Sequence, residues 1–187
     1  VKYFTGRIGS RLLLDQHLSL RRDVEDHEGG IEPSPLVGVV HTATPLKEVL
    51  LDAASDAANA CKLHLGDAPE LIVHDELNVK ATYIPHHFYT VLLELFKNSM
   101  KATVELHGRR TEDHDPLFGE ELPAVNVTIA GGERDCMVRI SDQGGGIPPA
   151  HSNRVWKFNF STAPEGMGEL SGFGFGLSIS RVFAQYR

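Results

Sequence analysis

The segment from residue 85 to residue 107 constrains the fold of this chain most, because apolar residues cover nearly its whole circumference when it is drawn as a helix. Pro85 suits the first turn of a helix, and Gly108 after the last residue predicts its end. Such a helix should be largely buried. Its polar residues nevertheless recur at steps of three and four, which places them along one narrow stripe. The stripe consists of Thr90, Glu94, Lys97, Asn98, Lys101 and Glu105.

The polar stripe allows two interpretations, a solvated helix face or a functional site. A solvated face accounts poorly for Glu94 and Asn98, because the rest of the helix is apolar and should be buried. A binding or catalytic site accounts for them better. For Lys97, Lys101 and Glu105 the two interpretations are about equally balanced. Glu94 and Asn98 are therefore the first candidate functional residues.

A second helix and a hairpin complete the predicted layout. Thr44 and Pro45 are the residue types of a helix N-cap and first helical position, and Gly66 suits the end of that helix. Apolar residues alternate at positions 125–129 and 136–140 around a Gly-Gly turn, which predicts two antiparallel strands with one buried face. Two helices that cover this face predict an α+β fold, in the form of a two-layer α/β sandwich.

Glycine and proline between residues 29 and 43 predict a linker that divides the chain. Residues 1–28 would then be the last helix of an N-terminal helical domain, with a helical pattern that ends in the charged stretch 21–28. Residues 44–187 would form the main domain. Helical patterns are interrupted at both ends of the sequence, so we expect a fragment in which both domains are truncated.

The composition argues against several classes of function. The formal net charge of -7 disfavours a general nucleic-acid binder, because such proteins concentrate Lys and Arg. No apolar run approaches the roughly 18 residues that a membrane helix needs. Cys61 and Cys136 each lie in an apolar periodic segment. Both are therefore predicted to be buried free thiols in a reducing compartment.

Two glycine clusters follow or precede predicted secondary structure. Asp142, Gly144 and Gly146 come directly after the second hairpin strand, where glycines permit a tight turn and close ligand approach. Residues 172–177, with the sequence GFGFGL, precede a helical pattern, and free N–H groups at a helix start suit phosphate oxygens. Alone, the first cluster is more often a glycine turn with a solvated aspartate. The second is neither a Walker loop, since no Gly-Lys-Ser/Thr follows, nor a Rossmann loop, since no strand precedes it.

Taken in order, E-L-F-K-N on a buried helix, D-x-G-x-G after a strand and G-x-G-x-G before a helix resemble the GHKL superfamily. This superfamily has the Bergerat ATP-binding fold and includes sensor histidine kinases, type II topoisomerases, mismatch-repair ATPases and mitochondrial α-ketoacid dehydrogenase kinases. Within it, the chain is similar to the pyruvate dehydrogenase kinase family, with the branched-chain ketoacid dehydrogenase kinase as an open alternative. The similar stretches are residues 14–18, 83–85, 94–105, 161–164 and 172–181, so the resemblance covers nearly the whole chain.

The resemblance implies a role for each matching residue. Glu94 would be the general base toward the substrate hydroxyl, or would orient that hydroxyl. Asn98 would coordinate magnesium, and Asp142 would accept a hydrogen bond from the adenine amino group. Lys97 and Lys101 would add positive charge near the phosphates. The remaining nucleotide-binding positions implied in this way are Gly144, Gly146, Ser161, Thr162, Gly172, Phe173, Gly174, Phe175, Gly176 and Leu177.

The sequence departs from the family pattern at several positions. Thr90 stands where several members have a histidine one turn before the catalytic glutamate, so the base lacks a titrating neighbour. Lys101 replaces the usual arginine, which keeps the charge but loses the planar fork. The segment between Thr162 and Gly172 is short for an ATP lid. The last strands of the family, with a Gly-Thr pair near the phosphates, have no counterpart in the sequence.

The resemblance implies an ATP-dependent protein-serine kinase that uses ATP and magnesium. Its substrate would be the decarboxylase subunit of a mitochondrial α-ketoacid dehydrogenase complex, with a lipoyl domain as docking site. The protein would be a homodimer of the mitochondrial matrix, without nucleic acid and without membrane insertion. Three alternatives stay open: a sensor histidine kinase, a nucleotide-gated module such as a topoisomerase or mismatch-repair ATPase, and a non-catalytic relative that keeps the fold.

Overall fold

The computed structural model describes residues 2–28, 36–75, 77–111, 121–132, 135–160 and 174–185. Four helices lie within these residues. They are α1 (Lys2–Glu28), α2 (Leu46–Leu65), α3 (Pro85–Thr111) and α4 (Gly176–Gln185). No helix in the described part of the chain has the length and apolar character needed to cross a membrane.

Six strands in the same residues form two three-stranded sheets. They are β1 (Leu36–Val37), β2 (Val40–Pro45), β3 (Leu71–His74), β4 (Lys80–Tyr83), β5 (Val125–Gly131) and β6 (Cys136–Ser141). The first sheet has the order β1-β2-β4 and is antiparallel. The second has the order β3-β5-β6, with β3 parallel and β6 antiparallel to β5. The predicted α+β class and the predicted hairpin, now β5 and β6, are confirmed.

One face of the second sheet packs against α2 and α3 to form the core. The buried side chains of β5 alternate along the strand, as its period of two requires. They are Val125, Val127 and Ile129. Leu50 of α2 and Phe96 of α3 are fully buried in the same cluster. Tyr89 of α3 also donates a 2.5 Å hydrogen bond to Asp56 of α2, which ties the two helices together. The helices form one layer and the sheet the other, which confirms the two-layer sandwich.

Helix α2 begins one residue later than predicted, because Thr44 and Pro45 belong to strand β2. Thr44 is fully buried, and its hydroxyl lies 3.4 Å from the carbonyl oxygen of Tyr83 in the neighbouring strand. The hydroxyl therefore serves the sheet and does not cap the helix. Pro45 takes the N-cap position with extended backbone and no side-chain cap hydrogen bond. The predicted end at Gly66 is confirmed, because this residue has a left-handed φ of 85°.

Helix α3 continues through Gly108, so the predicted stop at this glycine is wrong. A glycine stop needs left-handed backbone, and Gly108 is not among the described glycines with positive φ. The buried apolar positions are spaced four apart, at Leu92, Phe96, Met100 and Val104. Within residues 85–108 the exposed positions are His86, Asn98 and Leu106. Most of the other positions are half-buried, so the helix is shielded from solvent over most of its surface but is less deeply buried than predicted.

Gln16 of helix α1 binds the turn between β1 and β2. Gln16 Nε2 donates to the carbonyl of Val37 at 3.3 Å, and Gln16 Oε1 accepts from the N–H of Val39 at 2.8 Å. Residues 36–43, which the sequence assigned to a linker, contain β1 and most of β2. The helix also runs through the charged stretch 21–28, since charged residues with long side chains are good helix formers. The division into two domains stays a prediction.

The two cysteines differ in environment. Cys61 is a buried free thiol, as predicted, and its burial, with smaller contributions from Asp67 and Glu105, raises the pKa of the thiol to about 11. Cys136 is exposed, so the prediction that it is buried is wrong. It lies at the end of the β5–β6 ladder opposite Gly131, which has no side chain to cover it.

This difference predicts unequal thiol reactivity. In the native protein Cys136 should react with a disulfide reagent at the rate of an exposed thiol. Cys61 should react roughly 100-fold more slowly, because burial and a raised pKa both suppress the thiolate. A stopped-flow absorbance measurement at pH 8 would resolve the two phases. The fast phase should vanish in Cys136→Ser and persist in Cys61→Ala, and a fast phase that survives Cys136→Ser would contradict the assignment.

Candidate functional site

Four residues of the polar stripe form two ion pairs along α3. Lys97 Nζ lies 2.8 Å from Glu94 Oε1, and the two side chains are only 16% and 25% exposed. Lys101 Nζ lies 3.8 Å from Glu105 Oε1. Charges that are so little hydrated interact more strongly than an ordinary surface pair. Asn98 lies between the two pairs in sequence and is exposed.

Thr90 does not direct its hydroxyl to Glu94. Its Oγ1 donates to the carbonyl of His86, one turn earlier in the helix, at 2.8 Å. Threonine in a helix commonly bonds its own backbone in this way. Lys97, one turn after Glu94, is therefore the stripe residue seen to bind the carboxylate.

The turn after β6 is fixed against the C-terminal half of α3. Asp142 is exposed, and its Oδ1 accepts the N–H of Gly144 at 2.9 Å. A Cβ atom on Gly144 would lie 2.8 Å from the carbonyl carbon of Ala102 and 2.9 Å from the nitrogen of Thr103, so only glycine permits this approach. His107 Nε2 lies 3.0 Å from the carbonyl oxygen that precedes Gly144, which adds a hydrogen bond between helix and turn. Gly146 has a left-handed φ of 73°, and a Cβ atom on it would have no neighbouring atom within 4 Å.

The N-terminal end of α4 lies against the other half of the stripe. A Cβ atom on Gly176 would overlap Oε2 of Glu94 and lie 3.0 Å from its Cδ. Any larger residue at this position would displace the carboxylate. Leu177 follows in the first turn of α4 and is half-buried.

The residues just before α4 pack against Phe158 and Phe160, which follow the Asp142 turn in the chain. Gly174 has a left-handed φ of 71°, and a Cβ atom on it would lie 2.8 Å from the carbonyl oxygen of Phe160. The ring of Phe175 lies 6.0 Å from that of Phe158. The structure thus brings the first described residues of the second glycine cluster next to the segment that leads into it. The predicted site residues Ser161, Thr162, Gly172 and Phe173 lie outside the described residues.

The residues by which α3 receives the Asp142 turn were not predicted from the sequence. Backbone atoms of Ala102 and Thr103 lie next to Gly144, and Thr103 is fully buried. His107 bonds the backbone of the turn. The small size of Ala102 among larger apolar residues was the available signal, since close approach of two backbones requires small side chains.

Comparison with known proteins identifies the family. The profile of the histidine kinase-, DNA gyrase B-, and HSP90-like ATPase family matches residues 84–187, which include α3, the Asp142 turn and α4. This chain belongs to that family. The resemblance to the GHKL superfamily is thereby confirmed, and membership in an ATPase family implies an ATP site. The contacts of individual residues with ATP stay predictions.

Curated relatives narrow the comparison to one group of this ATPase family. The chain is 36% identical over 198 residues to the mitochondrial pyruvate dehydrogenase (acetyl-transferring) kinase of Drosophila melanogaster, and 36% identical over 202 residues to mitochondrial isozyme 3 of Homo sapiens. It is 30% identical over 200 residues to the mitochondrial enzyme of Arabidopsis thaliana. These alignments cover 99% of this chain but 45%, 46% and 50% of the relatives. The chain therefore spans about half their length.

The contact of Gly144 with α3 predicts a large effect of a single methyl group. Gly144→Ala should lower the free energy of unfolding by roughly 1–3 kcal/mol, because the methyl group meets backbone atoms that cannot rotate away. Gly132→Ala is the matched control, since the nearest atom to its Cβ would be 3.8 Å away. Urea unfolding followed by circular dichroism would measure both. Equal midpoints and slopes for the two variants would contradict the close approach.

Proposed function

We propose that this chain is the ATP-binding part of a protein-serine kinase resembling the pyruvate dehydrogenase kinases. The observation that carries the proposal is the contact of Glu94 with Gly176. This contact supports the proposal, because Glu94 is the candidate base and Gly176 belongs to the glycine segment expected to meet phosphates. The similarity to mitochondrial pyruvate dehydrogenase kinases along the whole chain supports the same activity.

The nucleotide would lie along α3, with its base at one end and its phosphates at the other. Asp142 and the Gly144 turn meet the helix at Ala102, and α4 meets it at Glu94. These two contacts are about 12 Å apart along the helix axis. Asp142 would accept a hydrogen bond from the adenine amino group. The segment with Gly172, Phe173, Gly174, Phe175, Gly176 and Leu177 would surround the phosphates, and Gly146, Ser161 and Thr162 would line the site.

Asn98 fits a magnesium ion held chiefly by the nucleotide. Its exposed amide supplies one hard oxygen midway along the stripe, and magnesium is commonly bound through one or two protein oxygens plus substrate phosphates. Among the described residues no group of three or more His, Cys, Asp or Glu side chains could hold a metal ion by itself. When bound, magnesium would neutralise charge on the β- and γ-phosphates.

Glu94 would act on the substrate serine. Its carboxylate accepts the hydroxyl proton while the serine oxygen bonds to the γ-phosphorus, and the bridging P–O bond breaks with its electrons leaving on ADP. Lys97 holds Oε1 of Glu94 at 2.8 Å and so fixes the direction of the carboxylate. Lys101 would add positive charge near the phosphates. Because Thr90 bonds the helix backbone, orientation of the base falls to Lys97.

The assembly would follow that of the relatives. We propose the decarboxylase subunit of an α-ketoacid dehydrogenase complex as the substrate, a lipoyl domain as the docking site, and a homodimer. The names of the relatives include a mitochondrial location, and for this protein we propose the mitochondrial matrix.

Removal of the carboxylate tests the catalytic assignment. Glu94→Gln should lower kcat for phosphorylation of pyruvate dehydrogenase about 100-fold or more, since general base catalysis contributes roughly 10²–10⁴-fold. The matched control Glu48→Gln changes an exposed glutamate of α2 and should leave kcat unchanged. Labelled ATP with the full-length protein gives the measurement. The product should be acid-stable phosphoserine, whereas acid-labile phosphohistidine would show a histidine kinase instead.

Removal of the amide oxygen tests the magnesium assignment. Asn98→Ala should raise the magnesium concentration for half-maximal ATP binding about tenfold, and affinity for magnesium-free ATP should change little. Asn59→Ala on the exposed side of α2 is the control. Titration calorimetry with and without magnesium would separate the two quantities. An unchanged magnesium requirement in Asn98→Ala would overturn the assignment.

A further inference from the structure

Two of the contacts between helices α3 and α4 lie the same distance apart on both helices. At one, the ring of His87 on α3 meets the ring of Phe183 on α4. At the other, Glu94 on α3 meets Gly176 on α4. The two contacts are seven residues apart in each helix, or about 10 Å, and their order is reversed. The helices therefore pack antiparallel, and a contact at one end sets the register at the other.

The contact between His87 and Phe183 is the more specific of the two. His87 is buried, and its ring centroid lies 4.3 Å from that of Phe183 with an angle of 33° between the planes. Tyr83 donates its hydroxyl to the carbonyl oxygen of Phe183 at 3.1 Å. The ring of Tyr83 is itself held edge-on to Phe88 at 6.2 Å. A ring contact and a directed hydrogen bond thus converge on one residue of α4.

The other buried side chains of α4 do little to fix its position along α3. Val182 is buried, but an aliphatic contact allows sliding. Ser178 and Ser180 are buried too, and within the described part of the chain their hydroxyls have no hydrogen-bond partner. Buried hydroxyls without partners oppose docking, because their desolvation is uncompensated.

We propose that His87 is a positioning residue for the nucleotide site. Its ring contact with Phe183, together with the Tyr83 hydrogen bond, fixes the axial register of α4. That register sets where Gly176 meets Glu94. A slip of one turn would move Gly176 about 5.4 Å along α3 and separate it from the carboxylate. The inference rests on the ATP site proposed above.

The chemical state of His87 agrees with this role. Burial, and then the neighbouring His86, lower the pKa of His87 below its ordinary value. The ring is therefore neutral at pH 8, where it can pack on a phenylalanine without a buried charge. Its Nδ1 is also buried and has no hydrogen-bond partner among the described residues, so packing keeps the ring in place.

ATP affinity of the full-length protein at pH 8, measured by titration calorimetry with magnesium and ATP, tests the proposal. His87→Ala should raise the Kd for ATP roughly five- to tenfold, since an aromatic pair contributes that much in free-energy terms. His87→Phe keeps the ring contact and should restore the Kd to within about twofold of the parent. His86→Ala changes the exposed neighbouring histidine and serves as the matched control.

A second variant protects the test against a folding defect. Tyr83→Phe removes one hydroxyl from a retained ring and should raise the Kd about three- to tenfold. Thermal melting without nucleotide, run on each variant, sets an assay temperature at which all are folded. Folded His87→Ala and Tyr83→Phe proteins that bind ATP as tightly as the parent would overturn the positioning role. A folded parent that binds no ATP would instead overturn the nucleotide site, and the inference with it.

Discussion

Helix α3 has to be buried on several sides and still keep charged residues along one line. The other described elements of the main fold are arranged around this constraint. The second sheet and α2 cover the apolar face of α3 at Leu92 and Phe96. The Asp142 turn and α4 then approach the polar line from its two ends. What remains beside the line is enclosed enough to strengthen charge interactions and open enough for Asn98 to stay exposed.

Glycine is the means by which two backbone segments reach that line. Gly144 contacts the α3 backbone directly, and Gly176 comes as close to Glu94 as its missing side chain allows. Both positions lie within segments expected to meet the nucleotide. The same residues decide how tightly the turn and α4 can pack. Stability is therefore linked at these positions to the ATP binding proposed for them.

The sequence was sufficient where the candidate site depends on local pattern. The stripe with Glu94 and Asn98 follows from helical periodicity alone, and the glycine clusters follow from composition, so a candidate site could be predicted before the fold was known. The strands β1, β2 and β4 were not predicted, because β1 and β4 have only two and four residues and β2 shows no regular alternation of polar and apolar residues. Thr44 illustrates the difficulty, since a threonine before a proline suits both a helix start and a strand end. Tertiary hydrogen bonding decides between the two.

Contacts between distant segments were beyond the sequence for a different reason. The exposure of Cys136 depends on what lies across the ladder, and the opposite residue, Gly131, is revealed only by the register. The meeting of His87 with Phe183 depends on the packing of two helices, and the two residues are almost a hundred positions apart in the chain. Neither quantity is encoded in the residue's own neighbourhood.

Tyr83 connects the first sheet with α4 through two hydrogen bonds. Its carbonyl lies at hydrogen-bond distance from Thr44 in β2, while its hydroxyl holds Phe183. Strand β2 in turn continues from the turn that Gln16 of α1 binds. A continuous route of backbone and hydrogen bonds thus leads from α1 through the first sheet to α4. In mechanical terms the first sheet connects α1 with α4, so a displacement of α1 would be transmitted through Tyr83 to the carbonyl of Phe183, in the helix beside Glu94.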